Sequence, residues 1–342
     1  MMSTKAKRVW LIVLLTVAAP TIVQSQRADV VQVSNGDRIT GTVSGLDRGE
    51  LSFRTAAAGT VSIAWTQVVT LTSTEILDVE VSSGERYSGT ISSPADRQLI
   101  VQTASGPTPS IDMKSVIRMT PISASVRART TGSVDFGASI TTANDSKTYT
   151  LDAAVANRTR SYETEMTFAS WLQKQDAAEA LTRNDLELDV RRLLPRRWFA
   201  VAKVAVQEDG ELDLDWRVVA GGGIGRKLIQ STRMRLAVEG GLDYDSERYG
   251  HGVGTDRSAE LFAGVDWDYF ARTWATDSSV AATTFISLER QRARLELDAQ
   301  LRRDMFWNMY WSVNVFESFD SDPPGDGERS NLGVSFTLGW SF

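Results

Sequence analysis

From Thr130 to Phe342 apolar and polar positions alternate with a period of two. Val134, Phe136, Ala138 and Ile140 share one face, as do Tyr149, Leu151, Ala153 and Val155 in the next segment, and Tyr162, Met166, Phe168 and Leu172 in the third. Leu186, Leu188 and Val190 follow, then Trp198 to Val206, Leu212 to Ala220, Met234 to Leu242 and Leu261 to Tyr269. Val280–Leu288, Leu295–Leu301, Trp307–Val315 and Leu332–Phe342 complete about twelve strands. Each is close to ten residues, the length a tilted strand needs to cross a bilayer. Connections at Arg158–Ser161, Leu193–Arg197 and Arg303–Met305 are short. Asp243–Arg257 and Asp320–Arg329 read as long, Gly-, Asp- and Pro-rich loops on the opposite rim. An even strand count with short turns on one side is the pattern of a closed outer-membrane barrel with both ends in the periplasm.

A soluble sandwich would show the same alternation, because its two apolar faces meet each other instead of lipid. Loop asymmetry and aromatics near strand ends (Trp198, Trp267, Tyr269, Trp340, Phe342) favour the membrane. So does the amino-terminal segment. Lys5, Lys7 and Arg8 precede an apolar run from Val9 to Ala19, and Val23-Gln24-Ser25 offers a cleavage site after Ser25. Residues 1–25 are therefore expected to be a signal peptide, and a secreted soluble β protein is the alternative.

The final strand places Leu332, Val334, Phe336, Leu338, Trp340 and Phe342 on one face and small or polar residues on the other. Its unpaired edge must find a partner. Phe336, Leu338, Trp340 and Phe342 are the expected signal for the barrel assembly machinery.

Between the leader and the barrel the chain repeats itself. Residues 31–71 align without a gap on 79–119, so that Val31-Gln-Val-Ser-Asn-Gly-Asp-Arg lies over Val79-Glu-Val-Ser-Ser-Gly-Glu-Arg. Asn35-Gly36 and Ser83-Gly84 fall between alternating strands, where tight hairpins need positive φ. Gly41 and Gly89 predict a bulge or sharp bend. Two small Sm- or SH3-like β modules are expected, at 29–74 and 75–122, followed by a barrel at 130–342. Such modules often bind RNA, but acids outnumber Lys and Arg here by ten to seven, against phosphate neutralisation. Docking, or contact with a periplasmic protein or peptidoglycan, is the reading left.

Composition closes several routes. The chain has no Cys and one His, which excludes disulfides, thiolate sites and multi-His metal sites. No cofactor or metal is expected. If the apolar face meets lipid, the other lines the lumen with Glu163, Glu165, Asp185, Glu187, Asp189, Arg191, Lys203, Asp213, Asp215, Arg217, Arg233, Arg235, Glu239, Glu260, Asp266, Asp268, Arg294, Glu296, Asp298 and Arg302. Acids prevail. This predicts either a charge-paired brace or a narrow cation-preferring channel, since twelve strands lie between filled eight-stranded barrels and open porins. A surface hydrolase is the enzymatic alternative. Its sole candidate base is His251, in a glycine-flanked loop, and no Gly-x-Ser-x-Gly elbow occurs. Gly221-Gly222-Gly223-Ile224-Gly225 lacks the Lys-Ser/Thr of a phosphate loop and reads as a place of close approach between strands.

The segments Asn35-Gly-Asp-Arg-Ile-Thr-Gly41 with Trp65, Tyr310-Trp311-Ser312 leading to Glu317-Ser-Phe-Asp-Ser-Asp-Pro-Pro324, and Gly333-Val-Ser335 to Trp340-Ser-Phe342 complete the pattern. Together they resemble the YdiY-like family of salt-induced outer-membrane proteins, also called domain of unknown function 481. The second module copy departs from it, with Tyr87 and Met113 in place of Ile39 and Trp65. The resemblance implies an outer-membrane location and a barrel fold, and it brings no reaction and no catalytic residue.

Overall fold

The computed structural model describes residues 29–122, 126–141, 146–174, 180–210, 212–250, 254–323 and 329–342. The expected leader with its cleavage after Ser25, and His251, lie outside them.

Twelve antiparallel strands close into a barrel. They are β11 (Thr130–Thr141), β12 (Ser146–Arg158), β13 (Tyr162–Lys174), β14 (Leu181–Leu193), β15 (Trp198–Asp209), β16 (Leu214–Gln230), β17 (Met234–Tyr249), β18 (Gly254–Ala271), β19 (Thr276–Ser287), β20 (Ala293–Asp304), β21 (Met309–Asp320) and β22 (Ser330–Ser341). Each pairs with its sequence neighbours, and β22 returns to β11 through Ser133↔Ser341 to Phe136↔Leu338. The apolar positions point outward. Phe136 is 57% exposed, Ile224 60% and Val334 69%. Inward apolar faces are what a soluble sandwich needs, so the outward display across most of the strands decides for a membrane-spanning barrel.

Inward glycines make room for aromatic rings from the next strand. A Cβ on Gly339 would strike the Tyr310 ring, one on Gly333 the Phe316 ring and one on Gly225 the Phe199 ring. The Gly221–Gly225 run behaves as the close approach expected: Gly223 lies against the backbone of Gly240.

The long loop expected at Asp243–Arg257 is corrected. Asp243–Arg257 is mostly strand, because β17 runs to Tyr249 and β18 resumes at Gly254. β16, β17 and β18 have 17, 16 and 18 residues, against 12 or 13 in the other barrel strands. β17 and β18 overshoot β19 on the long-loop side, where polar outward residues such as Arg248 need no lipid, whereas β16 runs past β15 at its short-turn end.

The amino-terminal unit is a ten-stranded sheet. Its strands are β1 (Asp29–Val33), β2 (Arg38–Asp47), β3 (Glu50–Thr55), β4 (Gly59–Ala64), β5 (Val68–Val81), β6 (Arg86–Ser92), β7 (Gln98–Thr103), β8 (Gly106–Pro107), β9 (Ile111–Asp112) and β10 (Val116–Pro121). The order is β4-β3-β2-β1-β5-β6-β7-β8, with β10 joining β2 to β5 and β9 on β7. The two repeats are fused rather than separate. The boundary expected at 74/75 falls inside β5, whose first half pairs with β1 and second half with β6 and β10. Val31, Phe53, Trp65, Leu71, Leu77, Val79, Leu99, Met113 and Met119 form one buried cluster. Trp65 and Met113 occupy equivalent positions in the repeats, and the Trp65 indole Nε1 donates to the Met113 carbonyl at 2.7 Å.

Gly36 and Gly84 adopt φ of +92° and +88°, as their hairpins require. Gly41 and Gly89 serve a different purpose: an added Cβ would enter the backbone carbonyls of Arg54 and Gln102, again equivalent positions. Because backbone cannot yield as a side chain can, Gly41→Ala and Gly89→Ala are each expected to destabilise this unit by about 1–3 kcal/mol. A lowered temperature at which protease removes the unit from the full chain would show it; unchanged protection would refute the steric account.

Candidate functional site: the lumen and its covered mouth

The lumen is unevenly filled, and its charges are unevenly paired. On the β15–β19 side it is filled. Phe199, Val201, Phe262 and Phe285 form a buried cluster, with Arg191 over Phe199 at 5.3 Å, Lys203 over Phe262 at 5.1 Å and Arg294 over Phe285 at 4.7 Å. The same cations reach carboxylates. Arg191 of β14 contacts Glu239 of β17 at 3.2 Å and Asp266 of β18 at 3.0 Å, and Lys203 also pairs with Glu239. Strands β14 and β18 are not neighbours, so Arg191 is a strut across the lumen.

A second strut system lies towards the long loops. Arg217 meets Glu247 at 2.6 Å and Asp245 at 3.7 Å. Arg292, 3% exposed, joins Glu247 of β17 at 2.5 Å to Asp320 of β21 at 2.6 Å. Arg294 contacts Glu260 at 2.5 Å, Asp245 at 3.2 Å and Glu296 at 3.5 Å. Asp243, Asp245, Glu247, Arg292 and Asp320 were missed from sequence because they fall in segments read as loops or connections. Their signal was the alternation Asp243, Asp245, Glu247, Tyr249, which continues the inward face of β17. At the β11–β22 closure Asp135 accepts from Tyr310 at 2.5 Å and from Thr337 at 3.3 Å, all buried.

Acids contributed by strands on facing sides also line the lumen. Asp185 is held by Arg183 at 2.8 Å. Glu165, Glu187, Asp189, Asp268 and Asp298 have no ion-pair partner among the described residues, and Glu165, Glu187 and Asp298 remain exposed within the lumen. Four expected lumen residues sit apart from these acids. Asp213 lies in a turn with φ of +55° and Asp215, half exposed, pairs with Arg248 at 3.5 Å, because the β16 register shifts between Leu214 and Trp216. Arg233 is exposed in the β16–β17 turn. Arg302 pairs with Asp304 at 2.8 Å and covers the Tyr310 ring at 3.6 Å near the short-turn end.

That short-turn end is covered by the amino-terminal unit. The β2–β3 turn meets the barrel at β16–β19. Arg235 binds Asp47 at 2.5 Å, Arg48 binds Asp277 at 2.5 Å, and Arg272 binds Glu50 at 3.2 Å and the Gly49 carbonyl at 2.8 Å. Arg48 and Arg235 also flank the buried Phe270 ring at 4.8 and 5.0 Å. Gly84 packs on Arg197, and Arg86 donates to the carbonyls of Arg160 and Thr159. Between these contacts, Glu80 of β5 pairs with Arg158 of β12 and accepts from Gln230 of β16 at 2.5 Å. Glu163 is bound there too, by Arg158 and by Lys227 at 3.1 Å, with Arg118 of β10 at 4.0 Å.

Burial alone would raise the Glu80 carboxyl, but Arg158, Lys227, Arg118 and Arg86 outweigh it and hold it at about 2, below its ordinary 4.5. The Asp47 carboxyl, half exposed but partly desolvated, is held far below its usual range by Arg118, Arg235 and Arg48. A lowered carboxylate contributes stability that is complete above its unfolded value and vanishes as pH falls through the folded one. Docking is therefore expected to weaken between pH 4.5 and about 2, with Glu80 contributing about 3 kcal/mol above that window. Acid titration of the unit's protease protection should show the slope, and Glu80→Gln should flatten it; an unaltered slope would dismiss Glu80 as the titrating group.

An antiparallel barrel with apolar residues outside and charges inside is an outer-membrane β-barrel. The sequence profile of the family described as a protein of unknown function, DUF481, matches residues 134–342, and the chain belongs to that family. The match covers the barrel; Asn35–Gly41 and Trp65 lie outside it. No curated protein matches the chain. Among solved structures, the NanC porin in a rhombohedral crystal form is 12% identical, with 62% of this chain and 98% of that one covered and a TM-score of 0.39. The translocator domain of the autotransporter NalP from Neisseria meningitidis is 13% identical, covering 62% and 86%, with a TM-score of 0.37. The β domain of the Bordetella autotransporter Brka is 10% identical, covering 62% and 97%, with a TM-score of 0.34.

Proposed function

We propose that the chain is a braced outer-membrane barrel whose remaining lumen is a narrow passive path for small cations. Its short turns and amino-terminal unit face the periplasm, and Phe336, Leu338, Trp340 and Phe342 offer the last strand to the barrel assembly machinery. The observation that carries the cation path is the division of charge inside the barrel. Lumen bases such as Arg191, Lys203, Arg217 and Arg294 are held in pairs, whereas Glu165, Glu187, Asp189, Asp268 and Asp298 are not. A path past these acids, which β13, β14, β18 and β20 bring in from facing sides of the lumen, carries an excess of unpaired fixed negative charge, which concentrates cations and repels anions.

The test is reconstitution into planar bilayers with a salt gradient. Small conductance with potassium preferred over chloride is expected, and Glu165→Gln/Glu187→Gln/Asp298→Asn should reduce that preference several-fold. Anion preference would overturn the reading. So would silence in every salt both with the amino-terminal unit seated and with it displaced by charge reversal.

A further inference from the structure

We propose that the amino-terminal unit is the stopper of the barrel, seated across its short-turn mouth by charge pairs and opening the lumen when displaced. Topology places it across the mouth rather than beside it. Its contacts fall on four successive short turns: β12–β13 through Arg86, β14–β15 through Gly84, β16–β17 through Gly49 and β18–β19 through Arg48. In a ring of twelve strands, β12–β13 and β18–β19 are half a circumference apart, so the unit bridges a diameter. Glu80 and Arg118 reach inside that rim, to Arg158, Glu163 and Lys227, which β12, β13 and β16 bring together. The β20–β21 turn, where Trp307 is 83% exposed, is left outside the seat.

The chemistry of the seat makes it releasable. The unit's buried apolar cluster contains no barrel residue, and the barrel's cluster contains none from the unit. The two bodies are instead joined by complementary charges. Asp47, Glu50 and Glu80 face Arg235, Arg272 and Arg158, and Arg48 faces Asp277, while Arg118, held by the unit's own Asp47 at 3.0 Å, reaches Glu163 at 4.0 Å. A polar junction without a shared core is the kind across which domains move, and half-exposed pairs such as Arg48 with Asp277 are individually weak. The position of the seat does not depend on the cation path; only its consequence for conduction does.

The full chain has no cysteine, so one engineered pair reports the seat. A Cβ placed on Gly49 lies 3.4 Å from the Thr232 Cβ, close to the roughly 3.8 Å of a disulfide. Gly49→Cys/Thr232→Cys should cross-link on mild oxidation, with Gly49→Ala as control for the positive φ at that position. Adding Asp47→Lys/Glu80→Lys should lower the cross-link yield several-fold. The same reversal in the cysteine-free chain should raise bilayer conductance about tenfold. Arg235→Glu/Arg272→Glu must act alike while leaving the unit's own sequence intact. The oxidised pair should hold conductance at the unreversed level. Absence of the cross-link, or reversals that change neither readout, would overturn the stopper. A cross-link that responds to both reversals in a protein that never conducts would uphold the seat and remove the cation path.

Discussion

Asp135→Ala is expected to destabilise the barrel by about 3–5 kcal/mol, because the substitution strands several buried donors at once. The Tyr310 hydroxyl, 2.5 Å from the carboxylate, and Thr337, at 3.3 Å, lose their acceptor, and Ser312 loses a partner at 3.5 Å. Tyr310 is 1% exposed and Ser312 and Thr337 are fully buried, so water does not replace the missing oxygen. Location magnifies the loss. β11 and β22 pair only from Ser133↔Ser341 to Phe136↔Leu338, whereas β11 and β12 pair along all of Thr130 to Thr141. The network therefore fastens the shortest seam of the barrel. Phe342 fastens its edge, with Gly132 and Phe342 exchanging backbone hydrogen bonds at 3.0 and 2.9 Å while the phenyl ring covers Gly132. Heat-modifiable gel migration measures the effect. Asp135→Ala should unfold at clearly lower temperature, Tyr310→Phe should lose less, about 1–2 kcal/mol, and removal of Phe342 should deplete assembled barrel from the outer membrane. Equal heat resistance of Asp135→Ala and the native chain would show that the seam is held by strand pairing alone.

Arg292→Met is the second large expected loss, also about 3–5 kcal/mol, the cost of leaving buried charge without its partner. Glu247, 2% exposed, would keep Arg217 but lose the Arg292 contact, and Asp320 would lose a guanidinium that reaches it through Nε at 3.0 Å and NH2 at 2.6 Å. Methionine supplies similar bulk, so the loss isolates charge from packing. The tie joins β17 to β21 across the barrel, and its removal should loosen the long-loop end before the rest. Hydrogen exchange would read this as faster opening of β17 and β21 with β12 and β13 unchanged. Arg292→Lys should recover only part, since one ammonium cannot span both carboxylates as the guanidinium does. Uniform exchange across all strands would refute a local brace.

The outer face of the barrel was legible because lipid imposes one rule on every strand: Phe136, Leu186, Val204, Leu261 and Val334 must be apolar at every second position. The same rule explains where reading failed. Beyond the bilayer β17 no longer needs an apolar outward face, so Asp243 to Tyr249 looked like loop. The inner partners were illegible for another reason. Arg292 meets Glu247 across 45 positions of sequence, and Arg235 meets Asp47 across 188. No local pattern marks either encounter. Identity of type was visible, as in the acidic character of Glu165 and Glu187, but which acids would find a base depended on strand register, including the shift between Leu214 and Trp216 that turns Asp215 away. The repeat was equally plain, yet its fusion through β5 was hidden, because Val68, Leu71, Leu77 and Val79 fit one long strand or two short ones equally well.

That duplicated unit rests on the barrel through turns that are not twins. It uses Asp47–Glu50 from the first repeat and Ser83–Arg86 from the second, while among the described residues the counterparts Ala95–Gln98 and Asn35–Arg38 meet no barrel residue. A body with approximate two-fold symmetry, laid across a rim that does not share it, divides inherited copies into unequal roles. One twin of each pair answers to a neighbour as well as to its own hairpin, through Arg197, Thr232 or Arg272. The other answers, among the described residues, to its own unit alone. Doubling the chain thus supplied more than a larger sheet: it left a spare edition of each docking turn on which selection could write something else.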